Sequence, residues 1–190
     1  MKLTTNFEQP KGTKNTVFSA LGMEEPGISA EDIMPQVYKA LGKSGSSSIY
    51  FEWCTKDTNK RRSLGLRTSC KRDLYISAWY RLRIKIPKHN ANWSYVGVTD
   101  SNTGTLYHRL YYACSAIEGT LHPTESHSCR KINHFLVLND LTLHDLSISF
   151  DHCPVPDNLF GVSSYEIETL LIDNERKNGY IVLNKGCHDF

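Results

Sequence analysis

The fold is decided by residues 74–86, which read Leu74-Tyr75-Ile76-Ser77-Ala78-Trp79-Tyr80-Arg81-Leu82-Arg83-Ile84-Lys85-Ile86. The even positions are almost wholly apolar, whereas the odd positions up to Lys85 are aromatic, polar or cationic. Successive side chains of a β-strand point to opposite faces of its sheet. The alternation therefore predicts an internal strand that buries Ile76, Tyr80, Leu82 and Ile84 and turns the odd positions outward.

Seven further segments favour strands, because they are rich in Tyr, Ile, Val, Leu and Thr and are separated by turn residues. They are residues 48–54, 93–99, 105–115, 131–138, 143–151, 163–172 and 179–184. Hairpin turns are predicted at 99–104 and at 173–179, the second through Asn178-Gly179. Short strands at this spacing are typical of an antiparallel β-sandwich or barrel.

One helix is predicted, at residues 29–42. Ser29 is a suitable N-cap, Asp32 suits the positive end of the helix dipole, and Ile33, Val37 and Leu41 form one apolar stripe. Residues 1–28 are polar and show no periodicity, so we expect an irregular arm there. The predicted fold class is therefore mainly β (α+β), with a single β-rich domain at 29–190 that begins with this helix.

The composition is that of a globular protein. The chain has 190 residues, of which 39% are hydrophobic and 22% charged, and its formal net charge is +2. No apolar run approaches the ~20 residues that a membrane-spanning helix needs. The N-terminus lacks the apolar stretch of a signal peptide.

Six cysteines indicate disulfide bonds, because their number is even and none forms a C-x-x-C pair. Pairing of sequence neighbours is the simplest arrangement: Cys54–Cys70, Cys114–Cys129 and Cys153–Cys187. Disulfides would place the protein in an oxidising, extracellular compartment. The alternative is six buried thiols in a reducing compartment, such as the cytoplasm of a host cell.

The basic side chains are concentrated in one segment. Residues 56–88 contain eleven basic and two acidic side chains, a net charge of +9, whereas the other 157 residues carry −7. The outward row of the central strand, Tyr75, Trp79, Arg81, Arg83 and Lys85, combines rings with cations, as surfaces that stack bases and hold phosphates do. The predicted binding residues are this row together with Arg61, Arg62, Lys71 and Arg72. An ordinary solvated face is the alternative, since exposed cations also keep sheet edges soluble.

Eight histidines raise the question of an active site or a metal site. His122, Glu125, His127 and Cys129 include zinc-binding side chains, but their spacing matches no standard zinc pattern. His108 and His144 are candidates for acid–base chemistry, yet both lie among apolar residues of predicted strands. No nucleophile or nucleotide-binding motif is present. We therefore predict no catalytic residue, no metal and no cofactor.

The predicted function is that of a secreted, disulfide-stabilised, non-enzymatic protein that binds a host or partner macromolecule. In outline the chain resembles small cysteine-stapled proteins that pathogens use against hosts, such as fungal effectors and viral immune modulators. The partner would be a protein or an anionic macromolecule, either a glycan or a nucleic acid. The alternative is a nucleic-acid-binding protein that uses residues 56–88 in a reducing compartment, and a secreted RNase-like enzyme is third.

Overall fold

The computed structural model describes residues 27–45, 47–54, 63–68, 74–99, 104–157, 159 and 161–184. Its helices are α1 (Ala30–Ser44), α2 (Leu106–Glu118), α3 (Arg130–Leu138) and α4 (Ser164–Lys177). Its strands are β1 (Ser47–Cys54), β2 (Ser63–Thr68), β3 (Ala78–Ile86), β4 (Ala91–Val98), β5 (Ser147–Pro154) and β6 (Ile181–Val182). No helix in these ranges is long and apolar enough to cross a membrane.

The strands form one open sheet in the order β2-β1-β5-β3-β4-β6. Neighbouring strands are antiparallel except β4 and β6, which run parallel and pair only at Trp93–Ile181 and Ser94–Val182. β3 lies between β5 and β4, so the prediction of an internal central strand is confirmed. The α+β content is confirmed as well. The predicted sandwich or barrel is wrong, because the sheet is single, mixed and open.

Helices cover both faces of this sheet. On one face, the core contains Leu82 and Ile84 of β3 together with Leu110 of α2 and Ile132 of α3. On the other, Trp79 packs in a core that includes residues of α1 and α4. Tyr80, Leu82 and Ile84 are buried as predicted, and Ile76 is half-buried. The odd positions of β3 do not face solvent as a row, because α1 and α4 lie over them.

Three of the predicted strands are helices. Residues 105–115 lie mostly in α2, 131–138 in α3 and 163–172 mostly in α4. In α2 the buried positions Leu106, Leu110 and Ile117 recur at helical spacing, and Gly119 ends the helix with a φ of 82°. The strand prediction relied on the β-propensity of single residues. The spacing of the buried positions, rather than residue type, determines whether a segment forms a helix or a strand.

The N-terminal helix agrees with the prediction. Ser29 caps α1, its hydroxyl accepts from the Asp32 amide, and the Asp32 carboxylate accepts from the Ser29 amide in a capping box. The helix continues two residues beyond Gly42, to Ser44. The predicted arm at 1–28 lies almost wholly outside the described residues.

Both predicted hairpin turns are wrong. After Thr99 the chain leads into α2 rather than into a second strand, and Gly104 directly precedes the N-cap residue Thr105. Asn178 is the C-cap of α4, and the Gly179 amide donates to the Arg176 carbonyl at 2.9 Å. Gly179 has a φ of 82°, the left-handed conformation that favours glycine at a helix end. An Asn-Gly pair thus marks the end of a helix here.

The predicted disulfides are not present among the described cysteines. Cys114, Cys129 and Cys153 are buried free thiols. The pairs Cys114–Cys129 and Cys153–Cys187 are therefore wrong, and burial within the two cores raises the pKa of Cys114 and of Cys153 to about 12. The pair Cys54–Cys70 lies outside the described side chains.

Candidate macromolecule-binding surface

The predicted binding row is largely internal. Trp79 is 0% exposed, and its indole N–H donates to the Ser164 carbonyl at 2.9 Å. Arg81 is 9% exposed and Arg83 is half-buried, whereas Lys85 at the end of the strand is exposed. The row cannot form a continuous platform for a polymer, because α1 and α4 cover the Trp79 ring and the guanidinium groups of Arg81 and Arg83.

Arg81 and Arg83 are committed to buried carboxylates. Arg81 makes a bidentate pair with Asp151, in which Nε lies 2.9 Å from Oδ1, and its Nη1 lies 3.4 Å from Glu175 Oε1. Arg83 makes a second bidentate pair with Glu175, at 2.9 Å and 2.7 Å, and the Ser94 hydroxyl donates to the same carboxylate at 2.9 Å. We call Arg81, Arg83, Asp151 and Glu175 the charge clamp. Since Glu175 belongs to α4, the clamp fastens this helix to the sheet.

The charge clamp sets the pKa of its own members. Burial pushes the pKa of Glu175 up, but the hydrogen bonds from Arg83 and Ser94 and the charges of Arg83 and Arg81 outweigh burial and leave it below the usual value. The hydrogen bonds to Glu175 raise the pKa of Arg83. Two cations and two carboxylates thus neutralise one another, so the clamp is a structural feature rather than an anion-binding one.

Tyr75 is the aromatic residue of the predicted row that is exposed, and it lies beside other exposed rings. It is 62% exposed, and its ring stacks on Tyr107 of α2 with centroids 5.2 Å apart and planes 21° from parallel. The His108 ring stands edge-on to both, at 6.2 Å from Tyr75 and 6.0 Å from Tyr107. One helical turn further, Tyr111 and Tyr112 are 45% and 42% exposed. We call Tyr75, Tyr107, His108, Tyr111 and Tyr112 the tyrosine surface.

Backbone hydrogen bonds hold this surface in place. The amides of Leu106 and Tyr107 donate to the carbonyls of Ile76 and Leu74, each at 3.0 Å. Tyr75 lies between these two carbonyls, so its ring is fixed beside the first turn of α2. The same bonds occupy amides of the helix N-terminus that would otherwise be available to an anion.

The sequence prediction missed Tyr107, Tyr111 and Tyr112, and considered His108 only for acid–base chemistry, because it assigned 105–115 to a strand. In a strand, Tyr107 and Tyr111 would share a face with Arg109, and Tyr112 would face the other way. In a helix, the pairs Tyr107–Tyr111 and His108–Tyr112 are both spaced i, i+4 and lie side by side. The helical spacing of Leu106, Leu110 and Ile117 was the signal that could have found them.

The stretch of sequence that leads up to Tyr75 is basic. α2 contacts β2, and the segment 55–73 that contains β2 carries seven basic and two acidic side chains. Residues 104–117 include no aspartate or glutamate. Among the predicted binding residues, Arg61, Arg62, Lys71 and Arg72 lie outside the described residues. In the sequence, Asp73 separates Lys71 and Arg72 from Leu74 and Tyr75. The charge in these two stretches of sequence is therefore mostly basic.

The histidine-rich loop before α3 is organised by an arginine. The Arg130 guanidinium donates to the carbonyls of Leu121, His122 and Glu125 at 2.6–3.2 Å. The His127 ring accepts from the Cys129 amide at 3.2 Å. Within the ranges that the structure describes, no three His, Cys, Asp or Glu side chains come together as metal ligands. His108 and His144 are both exposed, contrary to the apolar surroundings that the sequence suggested.

The chain matches no family model, no curated protein and no solved structure. The exposed chemistry of the molecule itself is therefore the basis for a functional assignment.

Proposed function

We propose that the protein is a non-enzymatic binding protein that recognises single-stranded nucleic acid through the tyrosine surface. The observation that carries the proposal is the set of exposed rings on Tyr75, Tyr111 and Tyr112. The sequence that leads up to Tyr75, residues 55–73, is basic. Secretion, and action on a host molecule, stay predictions from the sequence, as does the RNase-like activity.

The rings and the cations supply different parts of such an interaction. Unstacked bases stack on aromatic side chains with little preference for sequence, and each stacked base contributes about 1–3 kcal/mol. Basic side chains hold the phosphates and give the affinity its dependence on salt. Paired bases inside a duplex offer no free ring face, so this surface favours a single strand over a double helix.

The first test removes the rings. We expect the variant Y75S/Y111S/Y112S to bind a fluorescein-labelled oligouridylate of about 20 nucleotides at least tenfold more weakly than the parent protein, because up to three bases no longer stack on a ring. Tyr165→Ser is the matched control, since Tyr165 is a 56%-exposed tyrosine on α4, on the other side of the sheet. Fluorescence anisotropy measures both affinities, and unchanged circular dichroism shows that the fold persists.

The second test separates charge from stacking. The variant R61S/R62S/K71S/R72S should flatten the plot of log Kd against log salt by about 0.7 for every phosphate that the protein no longer neutralises. The tyrosine variant should lower the affinity without changing this slope, because stacking releases no counterions. Parallel slopes for the charge variant and the parent protein would contradict the role of the basic segment.

A protein partner is the outcome that competes with nucleic acid. Tyrosines are enriched at protein interfaces too, because their rings bury a large area with few rotatable bonds. If the parent protein and both variants fail to bind oligouridylate at low salt, the nucleic-acid proposal is wrong. Binding of heparin and oligouridylate with equal affinity and equal salt slope, insensitive to the tyrosine variant, would indicate attraction to any polyanion.

A further inference from the structure

A groove that is open to solvent runs between α1 and α4. Its wider part is a cavity of about 430 Å³ between residues 28–31 and residues 161–170. A narrower part of about 180 Å³ extends along α1 to Tyr38 and along α4 to Lys177. Leu170 lines both parts, so they belong to one groove. At a rise of 1.5 Å per residue, the two helices flank it side by side over about 20 Å.

The groove has an apolar floor and an acidic rim. Ile28, Val162 and Leu170 supply apolar surface, and all three belong to the core between these helices and the sheet. Among the described residues that line the groove, the charged ones are Glu31, Glu166, Asp173 and Lys177. Three carboxylates outnumber one ammonium, so the groove favours an occupant that is apolar and positively charged.

The other face of the sheet carries a projection of this kind. Val137 and Leu138, in the last turn of α3, are 72% and 84% exposed, the highest values among the large hydrophobic residues that the structure describes. We call these two residues the apolar tip. α3 also carries Arg130 and Lys131 and no aspartate or glutamate. Contiguous exposed apolar surface is typical of protein contact sites.

We propose that the apolar tip of one molecule docks in the α1–α4 groove of a second copy of this chain. Val137 and Leu138 cover the apolar floor of the groove, and the net positive charge of α3 faces the acidic rim. The nine residues of α3 span about 14 Å, which is shorter than the groove. A helix that lays apolar side chains into a groove between two other helices is a common mode of recognition.

The two sides of this contact are different surfaces on opposite faces of the sheet. α3 packs in the same core as α2, whereas α1 and α4 pack in the core around Trp79. A contact between unlike surfaces leaves one tip and one groove unoccupied on a pair of molecules, so further copies can add in a row or a ring. The tyrosine surface takes no part in the contact, so this proposal and the nucleic-acid proposal can fail independently.

The test is the mass of the full chain in reducing buffer, without nucleic acid, from about 10 μM to about 1 mM. Sedimentation and light scattering should show the mean mass of the parent protein rising above that of one chain. V137S/L138S removes the tip and should keep the mass of one chain. Thr169→Arg should do the same, because Thr169 is an exposed residue that lines the wider cavity, and arginine adds both bulk and positive charge there.

A mixture of the two variants gives the decisive measurement. V137S/L138S keeps an intact groove and Thr169→Arg keeps an intact tip, so each pair of unlike molecules has one working contact. We expect an equimolar mixture to approach twice the mass of one chain and to stop there, although each variant alone stays a monomer. Misfolding of either variant cannot produce this gain.

The controls change similar residues outside the contact. Tyr165→Arg adds an arginine to an exposed position of α4 that does not line the groove, and Ile181→Ser removes an exposed apolar side chain from β6. Both should associate as the parent protein does. The variant Y75S/Y111S/Y112S should associate equally well, which separates this contact from the tyrosine surface.

Three results would overturn the proposal. The first is a parent protein that keeps the mass of one chain up to 1 mM, which would leave the groove to a different protein or a small molecule. The second is a mixture of the two variants that stays monomeric. The third is association that is lost in V137S/L138S and retained in Thr169→Arg, since tip would then meet tip.

Discussion

Arg81 shows how strongly the surroundings of a residue decide its role. Its sequence position suggested a solvent-facing cation, yet it lies in the charge clamp with Asp151, which is only 6% exposed. Arg81→Ser should lower the free energy of unfolding by about 3–5 kcal/mol, because it leaves a buried carboxylate without its partner. Urea denaturation measures this loss.

The control for Arg81 removes both charges. A double variant with Arg81→Met and Asp151→Leu should recover much of the loss, since apolar side chains of similar volume often replace a buried ion pair at little cost. A loss below about 1 kcal/mol for Arg81→Ser alone would mean that the pair is as weak as a surface salt bridge.

Gly97 is the second residue whose identity the packing dictates. A Cβ at this position would lie 2.6 Å from the Tyr80 hydroxyl and from Cζ of the same ring. Tyr80 is 1% exposed in a filled core, so its ring has no room to move. Gly97→Ala should therefore cost about 1–3 kcal/mol of unfolding free energy. Chemical denaturation of the single variant measures this loss. A variant that also carries Tyr80→Phe should recover little of it, because Cζ of the ring stays 2.6 Å from the added Cβ.

At the scale of elements, the attachment of α4 to the sheet depends on the ionised carboxylate of Glu175. The pKa of Glu175 is lower in the folded protein than the unfolded pKa of 4.5. Its contribution to the free energy of unfolding is therefore fully present above pH 4.5 and is lost as the pH falls through the folded pKa. We expect the unfolding free energy to decline in acid below about pH 4.5. Glu175→Gln should be less stable at pH 7 and should show a shallower decline. Equal slopes for both proteins between pH 5 and pH 3 would contradict this role.

The elements also show what could be predicted from the sequence. α1 was predictable because its cap, its acidic first turn and its apolar stripe are all local signals. β3 and its buried face were predictable because alternation is local too. The outward face of β3 was not predictable, since a helix that covers it comes from residues 164–177, more than 75 positions away. α2 was misread because tyrosines favour strands on average, whereas burial at Leu106, Leu110 and Ile117 follows the helical period.

At the scale of the whole molecule, the concentration of basic side chains in 56–88 was predictable, but the contacts that these side chains make were not. Two of the eleven cations in 56–88 are neutralised inside the charge clamp by Asp151 and Glu175, from distant parts of the chain. The predicted row contains two aromatic residues, and only Tyr75 belongs to the tyrosine surface, because Trp79 is buried. The other rings of that surface come from α2, so the surface exists only once the segment 74–76 is bonded to that helix.

The Asn184 amide has a consequence for solubility. Its two hydrogen bonds to Val96 imitate those of a neighbouring strand, so one side chain ends the ladder where β6 stops. Unpaired strand edges recruit strands of other molecules and lead to aggregation. Asn184→Ala would leave the Val96 amide and carbonyl open to such recruitment. We expect this variant to form thioflavin-positive aggregates at concentrations where the parent protein stays monodisperse by light scattering, and Asn184→Asp, which can accept but not donate, to lie between the two.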